Sequence, residues 1–170
     1  LSAPDKLSGG TLELKGGTLA VKENSLIESA LTHIEQSKID VLLGKTLKYT
    51  GSEAKVGALE MTLSGGGFID NTNDFALDDP NSILAMNGIE ISKVSFTEDL
   101  TNGQLIVDND SVIKNLTNSK SSRIDIGSGD RLTVENSFEI PTNTNMHFVG
   151  SGTGIMMIND TMTISGTVKF

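Results

Sequence analysis

One short phrase recurs along most of the chain: a few alternating apolar and polar residues, a corner rich in Gly, Asn, Asp or Ser, then another alternation. It opens at GGTLELKGGTLAV (residues 9–21) and is still running at IMMINDTMTISGTVKF (155–170). Five copies begin and end on an apolar residue with a polar corner between: VKENSLI (21–27), IDNTNDF (69–75), VDNDSVI (107–113), VENSFEI (134–140) and INDTMTI (158–164). Two weaker copies, VLLGKTL (41–47) and IEISKVS (89–95), fall in the gaps. The starts are separated by 20, 28, 20, 18, 27 and 24 residues, a mean of about 23. Self-similarity at that period marks stacked coils, each burying its apolar face against its neighbours, and not a domain with one central core. The scatter predicts corner loops of unequal length.

Within each period, alternation of period two bounded by turn residues predicts short strands. TLEL (11–14), TLAV (18–21), IDVLL (39–43), TLKY (46–49), ALEMTL (58–63), ILAM (83–86), QLIV (104–107), RIDI (123–126), LTV (132–134) and MHFV (146–149) are the clearest. Strands of this length are marginal alone but pair above and below in a solenoid, at about 4.8 Å per coil. One stretch dissents. NSLIESALTHIEQ (24–36) places Leu26, Ile27, Ala30, Leu31 and Ile34 on one helical face, and Ser25 with Glu28 has capping-box spacing. Helix and strand both stay open there, with the flanking beat favouring strand. DDPN (78–81) and NLTNSKSS (115–122) read as longer corner loops, Pro80 and Pro141 as corner residues, and LSAPD (1–5) as a lead-in strand or loose end.

Composition narrows the function. The 170 residues carry 13 Lys+Arg against 22 Asp+Glu, a net charge of −9, which disfavours nucleic acid and anionic lipid as partners. Absence of Cys removes disulfides, thiol catalysis and thiolate metal sites. No run of about 18 apolar residues is present, so no membrane-spanning helix is expected. Eighteen Gly and only 4% aromatics suit a chain that turns many sharp corners.

GGTLELKGGTLAV (9–21), YTGSEAKVGALEMTLSGGGFID (49–70) and GSGDRLTVENSFEI (127–140) resemble the Gly-Gly-Thr-Leu and Thr-Leu-Ser-Gly-Gly phrases of bacterial autotransporter passengers and filamentous adhesins. The resemblance implies a right-handed parallel β-helix acting outside the cell as an adhesin, surface rod or biofilm component.

Candidate chemistry is sparse. Asp78 and Asp79 form an adjacent carboxylate pair before a turn, and Asp108 and Asp110 flank Asn109; glycoside cleavage needs two acids with separated pKa values. Arg123 and Asp125 bracket Ile124, but alternation puts both outward beside buried Ile124 and Ile126. Arg131, His33 and His147 complete the basic and imidazole groups available to such chemistry. The glycine–aspartate nonapeptide of calcium β-rolls is absent, and a calcium site needs six to eight converging oxygens. Asn71, Asn109 and Asn136 follow apolar residues, where stacked amides hydrogen-bond from coil to coil. Met156 and Met157 suit an irregular core or end cap.

The expectation is therefore an all-β chain: a right-handed parallel β-solenoid of about seven or eight coils filling 1–170 as a single domain, standing alone or as a fragment of a longer surface protein. A β-sandwich adhesion module is the architectural rival. The expected function is structural or adhesive, extracellular or at the bacterial cell surface; a carbohydrate-active or tailspike-like depolymerising β-helix is the rival. No catalytic, metal or cofactor residue is assigned. Expected partners are host or bacterial surface glycans or proteins, or further copies stacked end to end into a filament or matrix.

Overall fold

The computed structural model describes residues 6–149 and 153–170, so the expected lead-in at 1–5 lies outside the described residues. Among those described, every strand pairing is parallel. The one antiparallel contact is an isolated bridge between Leu42 and Gly66. A sandwich of hairpins is excluded, and the chain is a parallel β-solenoid of about seven turns.

Each rung has three faces. The first face runs Lys6–Leu7, Ser25–Ile27, Thr46–Tyr49, Phe68–Asn71, the starts of Glu90–Phe96 and Ser111–Asn118, Arg131–Val134 and Ile155–Ile158. The second takes the starts of Thr11–Val21 and Ala30–Val41, then Ala54–Val56, Phe75–Leu77, the ends of Glu90–Phe96 and Ser111–Asn118, Phe138–Ile140 and Met162–Ile164. The third takes the ends of Thr11–Val21 and Ala30–Val41, then Glu60–Ser64, Ile83–Asn87, Gln104–Asp108, Ser122–Ile126, Asn145–Phe148 and Thr167–Lys169. We number the rungs 1 to 8 in chain order: 6–21, 25–41, 46–64, 68–87, 90–108, 111–126, 131–148 and 155–169.

Parallel stacking in register places like residues above one another, and this builds the core. On the first face Leu47, Ile69, Ile91, Ile113 and Val134 form a column, each no more than 1% exposed. Ile39, Leu63, Met86, Val107 and Ile126 form a buried column on the third face, and Ala54, Phe75, Val94 and Leu116 another on the second. The lone tyrosine, Tyr49, fills the core edge-on to Phe75 at 5.9 Å between centroids; its hydroxyl accepts the Leu31 N–H at 3.2 Å and donates to the Ser52 carbonyl. Ion pairs link successive rungs on the outside, as Lys6–Glu28 at 3.0 Å and Lys45–Glu23 at 2.7 Å do. They are largely solvated and screened, so the apolar columns carry the stability.

Two sequence readings change, and one left open is settled in favour of strand. The register between rungs runs from 19 (Leu105 to Ile124) to 24 (Ser37 to Met61), tighter than the 18–28 spread of the recurring phrase. The phrase had mixed two corners: 21–27, 41–47 and 107–113 turn from third face to first, whereas 69–75, 89–95, 134–140 and 158–164 turn from first to second. Both corners demand apolar-in, polar-out, apolar-in, so they look alike in sequence. Residues 115–122 are not a long loop: Asn115–Asn118 continues a strand, because Leu116 is inward and Lys93–Phe96 pairs along it. The ambiguous segment at 25–36 is strand, as Ser25–Ile27 and the start of Ala30–Val41, with Leu31 inward and Ile34 42% exposed.

Truncating the central column should be costly. Ile91→Ala is expected to lower unfolding free energy by about 2–5 kcal/mol in urea titrations, while Thr101→Ala at an exposed corner changes it by less than about 0.5 kcal/mol.

Candidate functional site

At the corner from third face to first, the chain reverses through left-handed backbone on successive rungs. Gly44 (φ 74), Gly66 (φ 74), Gly88 (φ 63), Asn109 (φ 66) and Gly129 (φ 87) form this column. Only Gly enters that region without steric cost, with Asn the best-tolerated alternative, so the corner is stripped of side chains. The result is a groove of about 470 Å³ along the rod axis, with Gly44, Gly66, Gly67 and Gly88 in its floor.

Its walls are mixed. Leu43 stands 75% exposed on one side. On the first face the outward row Thr46, Phe68, Glu90, Val112 follows the ladder register and forms the other side. Lys114 places its ammonium 4.3 Å from the Phe68 ring centroid and 2.9 Å from Glu90, whose hydrogen bond raises the lysine pKa above its ordinary value. Lys45 is held by Glu23, and Asp110 closes the rim. An exposed leucine, an aromatic ring and anchored charges over a flat floor can hold an elongated ligand by contact and hydrogen bonding. The ionisable groups lining the groove are Lys45, Glu90 and Asp110.

The residues weighed from the sequence are scattered. Asp78 pairs with Lys55 at 2.6 Å, while Asp79 accepts the Asn81 N–H at 2.8 Å and shapes its turn. Asp108 and Asp110 lie on a different corner, either side of Asn109, whose side-chain amide donates to Asn87 at 2.7 Å. Arg123 and Asp125 point outward between inward Ile124 and Ile126, as alternation required. Arg123 pairs in register with His147, and Arg131 with Ile155. His33 is buried in rung 2, far along the rod from His147 in rung 7. Among the described residues no group of three or more His, Asp or Glu could hold a metal ion. Amides do bond from rung to rung, but Asn71 and Asn136 sit at one corner and Asn109 at another: Asn71 reaches the Lys93 carbonyl at 2.7 Å, and Asn136 reaches Asn115.

A second concavity lies at the last rung. Met156, Ile158, Met162, Ile164 and Val168 continue the core columns but have no rung beyond them among the described residues, leaving an apolar cleft of about 610 Å³. Phe170 stacks on Phe148 at its edge, 5.5 Å between centroids. Met156 is thus a core residue of the end rung, whereas Met157 points outward.

The groove went unnoticed in the sequence, although its signal is there. Glycine or asparagine at 44, 66, 88, 109 and 129 keeps the beat of the solenoid. Comparison with protein-family models, with curated proteins and with solved structures finds no match.

The left-handed column makes a graded expectation. Gly88→Ala should destabilise by about 1–2 kcal/mol, since a Cβ there meets only the Asn109 Cβ at 3.8 Å and the cost is conformational. Gly88→Asn should cost less, as the next rung already carries Asn; thermal melts of the two variants compare them directly.

Proposed function

We propose that this chain is a rod segment of a secreted or cell-surface β-solenoid serving adhesion or surface assembly, of the autotransporter-passenger or filamentous-adhesin type. The corner groove is the observation that carries this reading. It crosses successive rungs that backbone ladders hold at fixed spacing, so its contacts repeat along the axis and suit an extended partner such as a surface glycan or a protein segment. The stiffness supports the same reading, because each rung is hydrogen-bonded to the next even through corners: Leu42 N–H to the Val21 carbonyl at 2.9 Å, Val112 N–H to Ile89 at 2.9 Å, Gly127 N–H to Val107 at 2.8 Å. The phrases shared with adhesins add a resemblance in style. The acidic surface directs the choice of partner away from polyanions.

The test is binding of the purified chain to intact cells and to a panel of surface polysaccharides. Saturable binding is expected, weakened about tenfold by Leu43→Asp combined with Phe68→Ala, the effect of losing about 1.4 kcal/mol of contact. Absence of saturable binding to every cell and glycan tested, or full retention by a folded double variant, would overturn the adhesive reading. Light scattering over a wide concentration range addresses assembly separately, with mass increasing on concentration as the expected result.

A further inference from the structure

The inward column of the second face contains one ionisable ring. His33 pairs in register with Leu14 of rung 1, and the next pairing, Thr32 to Lys55, sets it over Val56 of rung 3. It is 7% exposed. Its Nδ1 accepts the backbone N–H of Gly57 at 3.3 Å, a tie from rung 2 to rung 3. An acceptor nitrogen carries no proton, so the ring is neutral with its proton on the buried Nε2, which makes no well-formed hydrogen bond, although the backbone of Glu60 and Glu35 lies close enough to act on the ring.

The surrounding seam is thin. Thr32–Lys55 is the only registered pair between Ala30–Val41 and Ala54–Val56. Just beyond His33 the ladder to rung 1 slips, Leu14 facing His33 and Lys15 facing Glu35, so Ile34 is the extra residue of a bulge. Charged groups on the packed elements are already engaged or aimed elsewhere. Glu13 and Lys15 of rung 1 pair with each other at 2.6 Å, and Lys55 of rung 3 pairs with Asp78 at 2.6 Å. Glu60 accepts from Thr62, and Glu35 and Glu53 make no hydrogen bond to the ring through their carboxylates.

We propose that this seam is an acid-operated release: protonating His33 turns Nδ1 from acceptor to donor, severs the tie to Gly57 and parts rung 2 from rung 3 along the second face. The first and third faces, paired over three and four residues at the same step, stay closed. Burial lowers the His33 pKa from its ordinary 6.5, outweighing the backbone of Glu60 and Glu35, which favours the charged ring. A folded-state value below the unfolded one gives stability that is present above 6.5 and lost as pH falls through that value towards the folded one.

Amide hydrogen exchange on the whole chain at about pH 7.5 and about pH 5.5, each rate referred to its intrinsic value at that pH, reads the seam directly. Protection at Lys55, Val56 and Gly57 should fall by up to about tenfold on acidification, while Leu47 to Tyr49 on the first face hold theirs. In His33→Gln the acid sensitivity of residues 55–57 should vanish. Equal protection at both pH values in the wild type, or the same acid loss in His33→Gln, would overturn the proposal. If that variant does not fold, titration of the His33 ring in the wild-type chain decides: a midpoint below 6.5 tracking the loss of protection supports the seam, and one at or above 6.5 overturns it.

Discussion

Everything in this molecule rests on parallel backbone hydrogen bonding held in register from rung to rung. A parallel ladder fixes not only which strands are neighbours but which side chains stand above which, and it does so with an offset of 19–24 residues throughout. Once that register exists, an inward isoleucine on one rung calls for an apolar residue at the matching position of the next, and the columns through Ile69, Ile91 and Ile113 follow. Stability is then close to a sum over neighbouring rungs, with no central knot of residues on which the whole depends. Where the ladder is interrupted, polar atoms show it: the second face splits into two sheets between Ser111–Asn118 and Phe138–Ile140, and the buried Asn118 side chain beside that break has no partner.

The fold was legible because its demands are local and repeated. Alternation marked the strands that face water on one side, and Gly, Asn and Asp marked the corners. What misled was symmetry among the corners. VDNDSVI at 107–113 and VENSFEI at 134–140 obey the same pattern of burial, yet they turn between different pairs of faces. Only pairing partners can separate them, and those lie a full rung away. The segment around Leu31 illustrates the converse: its spacing satisfies a helix as well as two strands, and stacking between rungs 1 and 3 decides in favour of strands.

The candidate site was less legible for a different reason. A groove made by missing side chains leaves no chemical residue type to search for. Gly44, Gly66 and Gly88 each read as punctuation, and their meaning appears only when the rungs are superposed and the empty positions align. Phe68 is likewise an unremarkable strand residue until Lys114 from two rungs away is found over its ring. Of the carboxylates that stand out in the sequence, Asp78 pairs with a lysine and Asp79 shapes a turn, while Asp110 lies on the rim of the groove.

The corner between second and third faces varies widely in length from rung to rung. It closes in a few residues between Val56 and Glu60, yet takes in residues 97–103 between Phe96 and Gln104, with Leu100 tucked inward and Gly103 bonded back to the Pro80 carbonyl at 2.9 Å. The longer excursion leaves the pairing of Val94–Phe96 and Gln104–Asp108 intact on either side. Surplus length is thus absorbed at a corner of the prism while its sides keep time, which makes the corner at 97–103 a natural place for foreign segments to be grafted without unseating the rod.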